Sequence, residues 1–184
     1  MNLNQKFNKG KKLFEKGKSQ EGADIWMDLA ELGHLDAIEQ LVYIFLDQRD
    51  FDTVDTLINF AKNPSEPLVL YLKARKIEEM LGFGDSIDSF KFAAESKSAD
   101  ACRRLFDHAI FNDDSKSGEY YLTKLKEFPE YFANLYVTVS FEELEKEFDE
   151  LVSRNANEVG VSQVTKISLD VLSPVVKYSR QRQK

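Results

Sequence analysis

The residues able to do chemistry in this chain are few and poorly placed for it. His108 has Asp107 beside it and Asp113 and Asp114 nearby, which superficially resembles a cluster of metal ligands. Adjacent helical residues point to different sides, however, and the two later aspartates belong to a polar turn, so no common coordination sphere is expected. His34 stands at a junction between helices, where a solvated side chain is expected. Cys102 recurs at the spacing of Ile38 and Leu70, and reads as a buried apolar residue rather than a nucleophile. The acidic pairs Glu78-Glu79 and Glu142-Glu143 fall on solvent faces and need no acid/base role. No glycine-rich phosphate loop, serine elbow or paired-histidine motif is present in the sequence. The chain does not read as an enzyme, and no cofactor or metal is expected.

The elements that carry these residues repeat. A shift of 32 residues aligns Ala37, Val69, Ala101 and Ala133; Ile38, Leu70 and Cys102; Trp26, Ile58, Phe90 and Leu122; and Leu29, Ala61, Ala93 and Leu125. Leu13, Phe45, Ile77, Ala109 and Phe141 form a further column. Large and small apolar columns separated by charged ones suit two-helix units that bury one face against their neighbours. Within a unit the spacing is helical, as in Ala37, Leu41, Phe45 and Val54, Leu57, Ile58, Ala61. The run Leu41–Leu46 could pass alone for a buried strand, but the repeat frame makes it helical. Trp26, the only tryptophan, falls in the large column as a core anchor.

Leu29-Ala30-Glu31-Leu32-Gly33-His34-Leu35-Asp36-Ala37, followed by Leu41 and Phe45, resembles the helix-turn-helix junction of Sel1-like repeats. More generally it resembles the tetratricopeptide superfamily. The small, large, small order along a second helix recurs in Gly22, Trp26, Leu29 and in Gly118, Leu122, Leu125. The resemblance covers about residues 3–144. It departs from the pattern in its shorter period, in Lys73 where leucine is expected, and in Val42, Ala74 and Phe106 at a position that usually carries glycine. The fold it implies is all-α: a right-handed α-solenoid of about four to five helix-turn-helix repeats with a C-terminal capping helix. Residues 1–140 would hold the repeats and residues 141–184 a helical extension with a basic tail.

Composition agrees with a folded chain. Of 184 residues, 31% are charged and 42% apolar, ordinary for a globular protein. No apolar run approaches the roughly 18 residues of a membrane span, so no membrane association is expected. The opening MNLNQKFNKGKK has no apolar stretch after its lysines and does not read as a secretory leader. One cysteine suits a reducing compartment, and a cytoplasmic location is expected. The net charge is −7, but residues 1–18 carry +5 and residues 177–184 carry +4, leaving −16 on the 158 between. Such a body repels polyphosphate, so nucleic acid is not an expected partner.

Along the chain, Ser19 is expected to cap the second helix, Asp50 or Asp52 to start the fourth, and Pro67 to open the fifth. Gly82 or Gly84 is expected at positive φ, with Asp85 beginning the next helix. Ser98 should cap the helix of Cys102, and Pro129 should open the ninth. Glu142 to Arg154 reads as an acidic helix, 155–160 as a connector, and Val161 to Tyr178 as a terminal helix closing the stack, with a flexible or partner-docked segment as the alternative.

In such a solenoid the first helix of each unit lines a concave groove. The register carried over from the superfamily places Phe7, Lys11 and Phe14; Glu39, Tyr43 and Leu46; Tyr71, Arg75 and Glu78; and Arg103, Asp107, Ile110 and Phe111 along it. Phe7, Phe14, Tyr43, Leu46, Tyr71, Arg75, Arg103 and Phe111 are the expected partner contacts, since aromatic and arginine side chains commonly anchor interfaces. The expected function is a non-catalytic module binding a protein or peptide in the groove. The alternative is a structural or regulatory subunit that self-associates, the groove filled by its own C-terminal helix or by a second copy in a homodimer.

Overall fold

The computed structural model describes residues 1–132 and 140–159, and every regular element among them is a helix. These are α1 Leu3–Glu15, α2 Ser19–Glu31, α3 Leu35–Asp47, α4 Phe51–Asn59, α5 Pro67–Leu81, α6 Phe83–Glu95, α7 Ala99–Phe111, α8 Ser115–Leu125, α9 Pro129–Phe132 and α10 Phe141–Val159. The odd helices through α7 begin at residues 3, 35, 67 and 99, and the even ones through α8 at 19, 51, 83 and 115. Both series step by 32, the period of the apolar columns. Ala133 and the expected terminal helix from Val161 to Tyr178 lie outside the described residues. Among the described residues, no helix is long and apolar enough to cross a membrane.

The chain forms two compact units that divide between Asp100 and Ala101. In the first, α1 packs on α2, α2 on α3, α3 on α4 and α5, α4 on α5, and α5 on α6. Its core holds Trp26, Leu29, Ile38, Leu41, Val42, Val54, Leu57, Ile58 and Leu72, all nearly or fully buried. The apolar run Leu41–Leu46 is helical, as the repeat frame requires. Val42 and Ala74 are fully buried, while Lys73 is exposed, so a charged side chain at that leucine position costs no desolvation. In the second unit α8 packs on α10, with Leu122, Leu125, Leu144, Phe148 and Leu151 buried.

Five helix ends close with the same hydrogen-bonded turn. Lys18 N–H donates to Leu13 O, His34 to Leu29, Asp50 to Phe45, Ser98 to Ala93 and Asp114 to Ala109, at 2.9–3.0 Å. In each the preceding residue is left-handed: Gly17 (φ 75°), Gly33 (78°), Arg49 (58°), Lys97 (71°) and Asp113 (54°). This double closure satisfies carbonyls that a helix end otherwise leaves unpaired. The α4–α5 connection differs: there the Asn63 side chain accepts from Ser65 N–H at 3.1 Å, and Pro67 occupies the first helical position. Asp50 caps α4 by accepting from Thr53 N–H at 3.1 Å, and Asp114 caps α8 by accepting from Ser117 N–H at 3.1 Å.

Three expected boundaries move. Ser19 is the first residue of α2 and not its cap; Lys18 holds that position, and its side chain makes no capping hydrogen bond. Gly82 alone separates α5 from α6 at φ 99°, so α6 begins at Phe83 and Gly84 lies within it. The expected connector is helical as far as Val159. Its start is held by tertiary contacts: Asn155 Nδ2 donates to Asp113 O at 3.0 Å, and Arg154, the residue before it, pairs with Asp113 at 3.1 Å.

Candidate partner-binding face

The 32-residue register puts Tyr71 at the position of Glu39, and Arg75 at that of Tyr43. Glu39 and Tyr43 lie one turn apart on α3; Tyr71 and Arg75 lie one turn apart on α5, which packs on α3. The two phenols are joined by a hydrogen bond. All four side chains are half-buried. Tyr71 also packs on Phe90 of α6, the rings tilted by 52° with centroids 5.9 Å apart.

Electrostatics here follow from burial. Desolvation, then the negative charges of Asp100 and Asp36, push the Glu39 carboxyl up to about 7. Burial first, and then neighbouring Tyr71 and Glu39, push the Tyr43 phenol far above its ordinary range. Burial raises Tyr71 too, opposed by its bond to Tyr43 and by Arg75. Arg75 is held elsewhere: Nη1 donates to Glu78 at 2.6 Å and Nη2 to Glu79 at 2.8 Å, a fork spanning one helical turn. Its charge is therefore matched on its own helix.

The remaining expected contacts are distributed differently. Phe7 and Phe14 flank Trp26, with ring centroids 5.5 and 4.4 Å away, and both are half-buried. Phe7 also stacks on His34 at 5.5 Å, so His34 is half-buried in a ladder of rings rather than solvated. His34 Nε2 lies 3.2 Å from Asn4 Oδ1, while Nδ1 is enclosed with no hydrogen-bond partner among the described residues. Leu46 is only 3% exposed and belongs to the core. In the second unit, Arg103 donates from Nε to Asp107 at 2.7 Å. Burial holds Asp107 above its usual range in spite of Arg103. Phe111, at 86% exposure, projects freely from the end of α7. The structure thus gathers Tyr43, Tyr71 and Arg75 in one place, Phe7 and Phe14 in another, and keeps Arg103 and Phe111 on α7.

His108 is half-buried, and among the described residues no three potential ligands are grouped to hold a metal ion. Cys102 is fully buried on the inward side of α7 with Ala101 and Leu105. The environment of Glu39 was the feature least visible beforehand. Its column held an aromatic or an arginine elsewhere, and only the approach of Asp100 from the start of α7 reveals the crowding of charge.

No protein-family model, curated protein or solved structure matches this chain.

Proposed function

We propose that the chain is a non-catalytic interaction module that holds a protein or peptide segment along the first helices of its repeats. The observation that carries this reading is the convergence of Tyr43, Tyr71 and Arg75 on packed helices α3 and α5. All three are half-buried, the two tyrosines packing against the core with part of each side chain left at the surface. Tyrosine and arginine combine large contact area with hydrogen-bonding tips, the chemistry of interface anchors. The 32-residue step of both helix series supports a solenoid scaffold of the Sel1-like or tetratricopeptide-like kind, in which such a surface would face the groove.

Affinity capture with the full chain beside a Tyr43→Ala/Tyr71→Ala variant tests the reading. At least one protein captured in proportion to bait by the native chain should be lost from the variant. Equal capture of every protein by both would overturn it, provided the variant keeps its helical circular dichroism.

A further inference from the structure

Helix α1 presents Phe7, Gly10 and Phe14 to Trp26 of α2, which leaves Lys9, Lys12 and Lys16 exposed on its opposite side. Met1, Gln5 and Asn8 join Lys9 and Lys12 around a shallow depression there. None of the three ammonium groups has a hydrogen-bond or ion-pair partner among the described residues. Helix α10 has the same build with the opposite charge: Leu144, Phe148 and Leu151 are buried, while Glu143, Glu147 and Glu150 are exposed. Glu143 accepts from Ser140 N–H at 2.6 Å, and the carboxylates of Glu147 and Glu150 have no such partner among the described residues. Glu143, Glu147 and Glu150 are separated by four and then three residues, as are Lys16, Lys12 and Lys9 read backwards. Laid antiparallel, the two rows meet pair by pair over about 10 Å. We infer that the basic row of α1 docks on the acidic row of α10 in a second copy of the chain, Lys16 opposite Glu143, Lys12 opposite Glu147 and Lys9 opposite Glu150. This contact is separate from the Tyr43–Tyr71 face and does not depend on it.

Spacing and charge together select this occupant and this direction. A parallel arrangement sets the three-residue step of one row against the four-residue step of the other, and the pairs diverge around the helices. The antiparallel one also brings the negative end of α1 to the positive end of α10. A polyphosphate or an anionic bilayer reaching for the lysines would meet the −16 carried by the 158 residues between the basic ends. A second copy turns that same acidity into attraction. A lone exposed ion pair adds little to association, whereas three in register act together and fix orientation. Two helix faces make a small interface, so the complex is weak, reversible and screened by salt. The joined patches are unlike, so one such contact leaves a basic row free on one copy and an acidic row free on the other.

Sedimentation equilibrium of the full chain tests this. At about 0.02 M salt the average mass should rise above 21.2 kDa with concentration, and at about 0.5 M it should return to that value. Lys9→Glu/Lys12→Glu should weaken association about tenfold or more, and Glu147→Lys/Glu150→Lys should do the same. Glu143 is kept, because it also accepts from Ser140 N–H at the start of α10. Mixing the two reversed variants should restore association, since each then offers the other a row of opposite charge, and recovery shows that both remain folded. Tyr43→Ala/Tyr71→Ala should associate like the native chain. Loss of association in that variant would move the contact to the groove and overturn the inference. A mass of 21.2 kDa at every concentration in low salt would overturn it as well. So would association that survives high salt, ignores either reversal, or is not restored by mixing. Binding of the native chain to phosphatidylserine vesicles without any self-association would give the lysines to a membrane and overturn the assignment to a second copy.

Discussion

The indole Nε1 of Trp26 donates to the main-chain carbonyl of Phe7 at 3.1 Å, and Gly10 of α1 presses against the same ring. A methyl group on Gly10 would come to 2.6 Å from that nitrogen, and the ring cannot withdraw because Phe7 and Phe14 flank it. Gly10→Ala should therefore cost about 1–3 kcal/mol despite the better helix propensity of alanine. Gly84→Ala is the contrast: it is also helical, but its added methyl meets nothing within 4 Å, so it should stabilise by up to about 1 kcal/mol. Urea denaturation followed by circular dichroism measures both.

Stability should depend on pH through Glu39. Folding raises its pKa from 4.5 to about 7, so the folded chain holds this proton more tightly than the unfolded one. The resulting stabilisation is complete below about 4.5 and is lost as pH rises through 7. The change is on the order of 3 kcal/mol. Glu39→Gln, which keeps the shape and cannot ionise, should raise the urea midpoint at pH 8 and change it little at pH 4. A variant that shifts the midpoint equally at both would contradict this.

Lys97 occupies the left-handed turn position at φ 71°, where a side chain is strained and glycine is not. Its side chain is exposed. Lys97→Gly should stabilise by about 0.5–1 kcal/mol, the relief of strain exceeding the added freedom of the unfolded chain. Arg49→Gly should gain less, because Arg49 also donates to Glu79 O at 3.4 Å and lies 5.7 Å from the Phe51 ring centroid. Thermal melts of the two variants beside the native chain decide the order.

In the second unit, Phe148 of α10 packs where Gly118 of α8 leaves room, and a Cβ on that glycine would lie 3.2 Å from the ring. Phe148→Ala should open a cavity costing about 3–5 kcal/mol. Hydrogen exchange should then accelerate along α10 and α8. Unchanged protection would mean that the ring does not anchor the pair.

Helical class, period and most helix starts were legible because burial imposes them: Trp26, Ile58, Phe90 and Leu122 share a column and are all buried. The turns were harder to see. Three of the five left-handed positions hold Arg49, Lys97 and Asp113 instead of glycine, so composition conceals a shape that the hydrogen bonds reveal. Asn155 looked like a connector residue because asparagine is a poor helix former, and its amide bond to Asp113, 42 residues away in sequence, overrides that preference.

The candidate face was partly legible. The register carried over from the superfamily placed Tyr43, Tyr71 and Arg75 on one face, but it could not tell a lining residue from a core one, and Leu46 is core. Glu39 acquires its character first from burial and then from Asp100, 61 residues later, and both depend on packing that no local pattern encodes.

Cys102 is the chain's only thiol, and none of its surface meets solvent. An alkylating reagent can reach the sulfur only while α7 breathes away from its neighbours, so the rate of labelling clocks that opening from within the native ensemble. The protein thus carries a built-in stopwatch for its own fluctuations, readable by mass spectrometry without adding a probe.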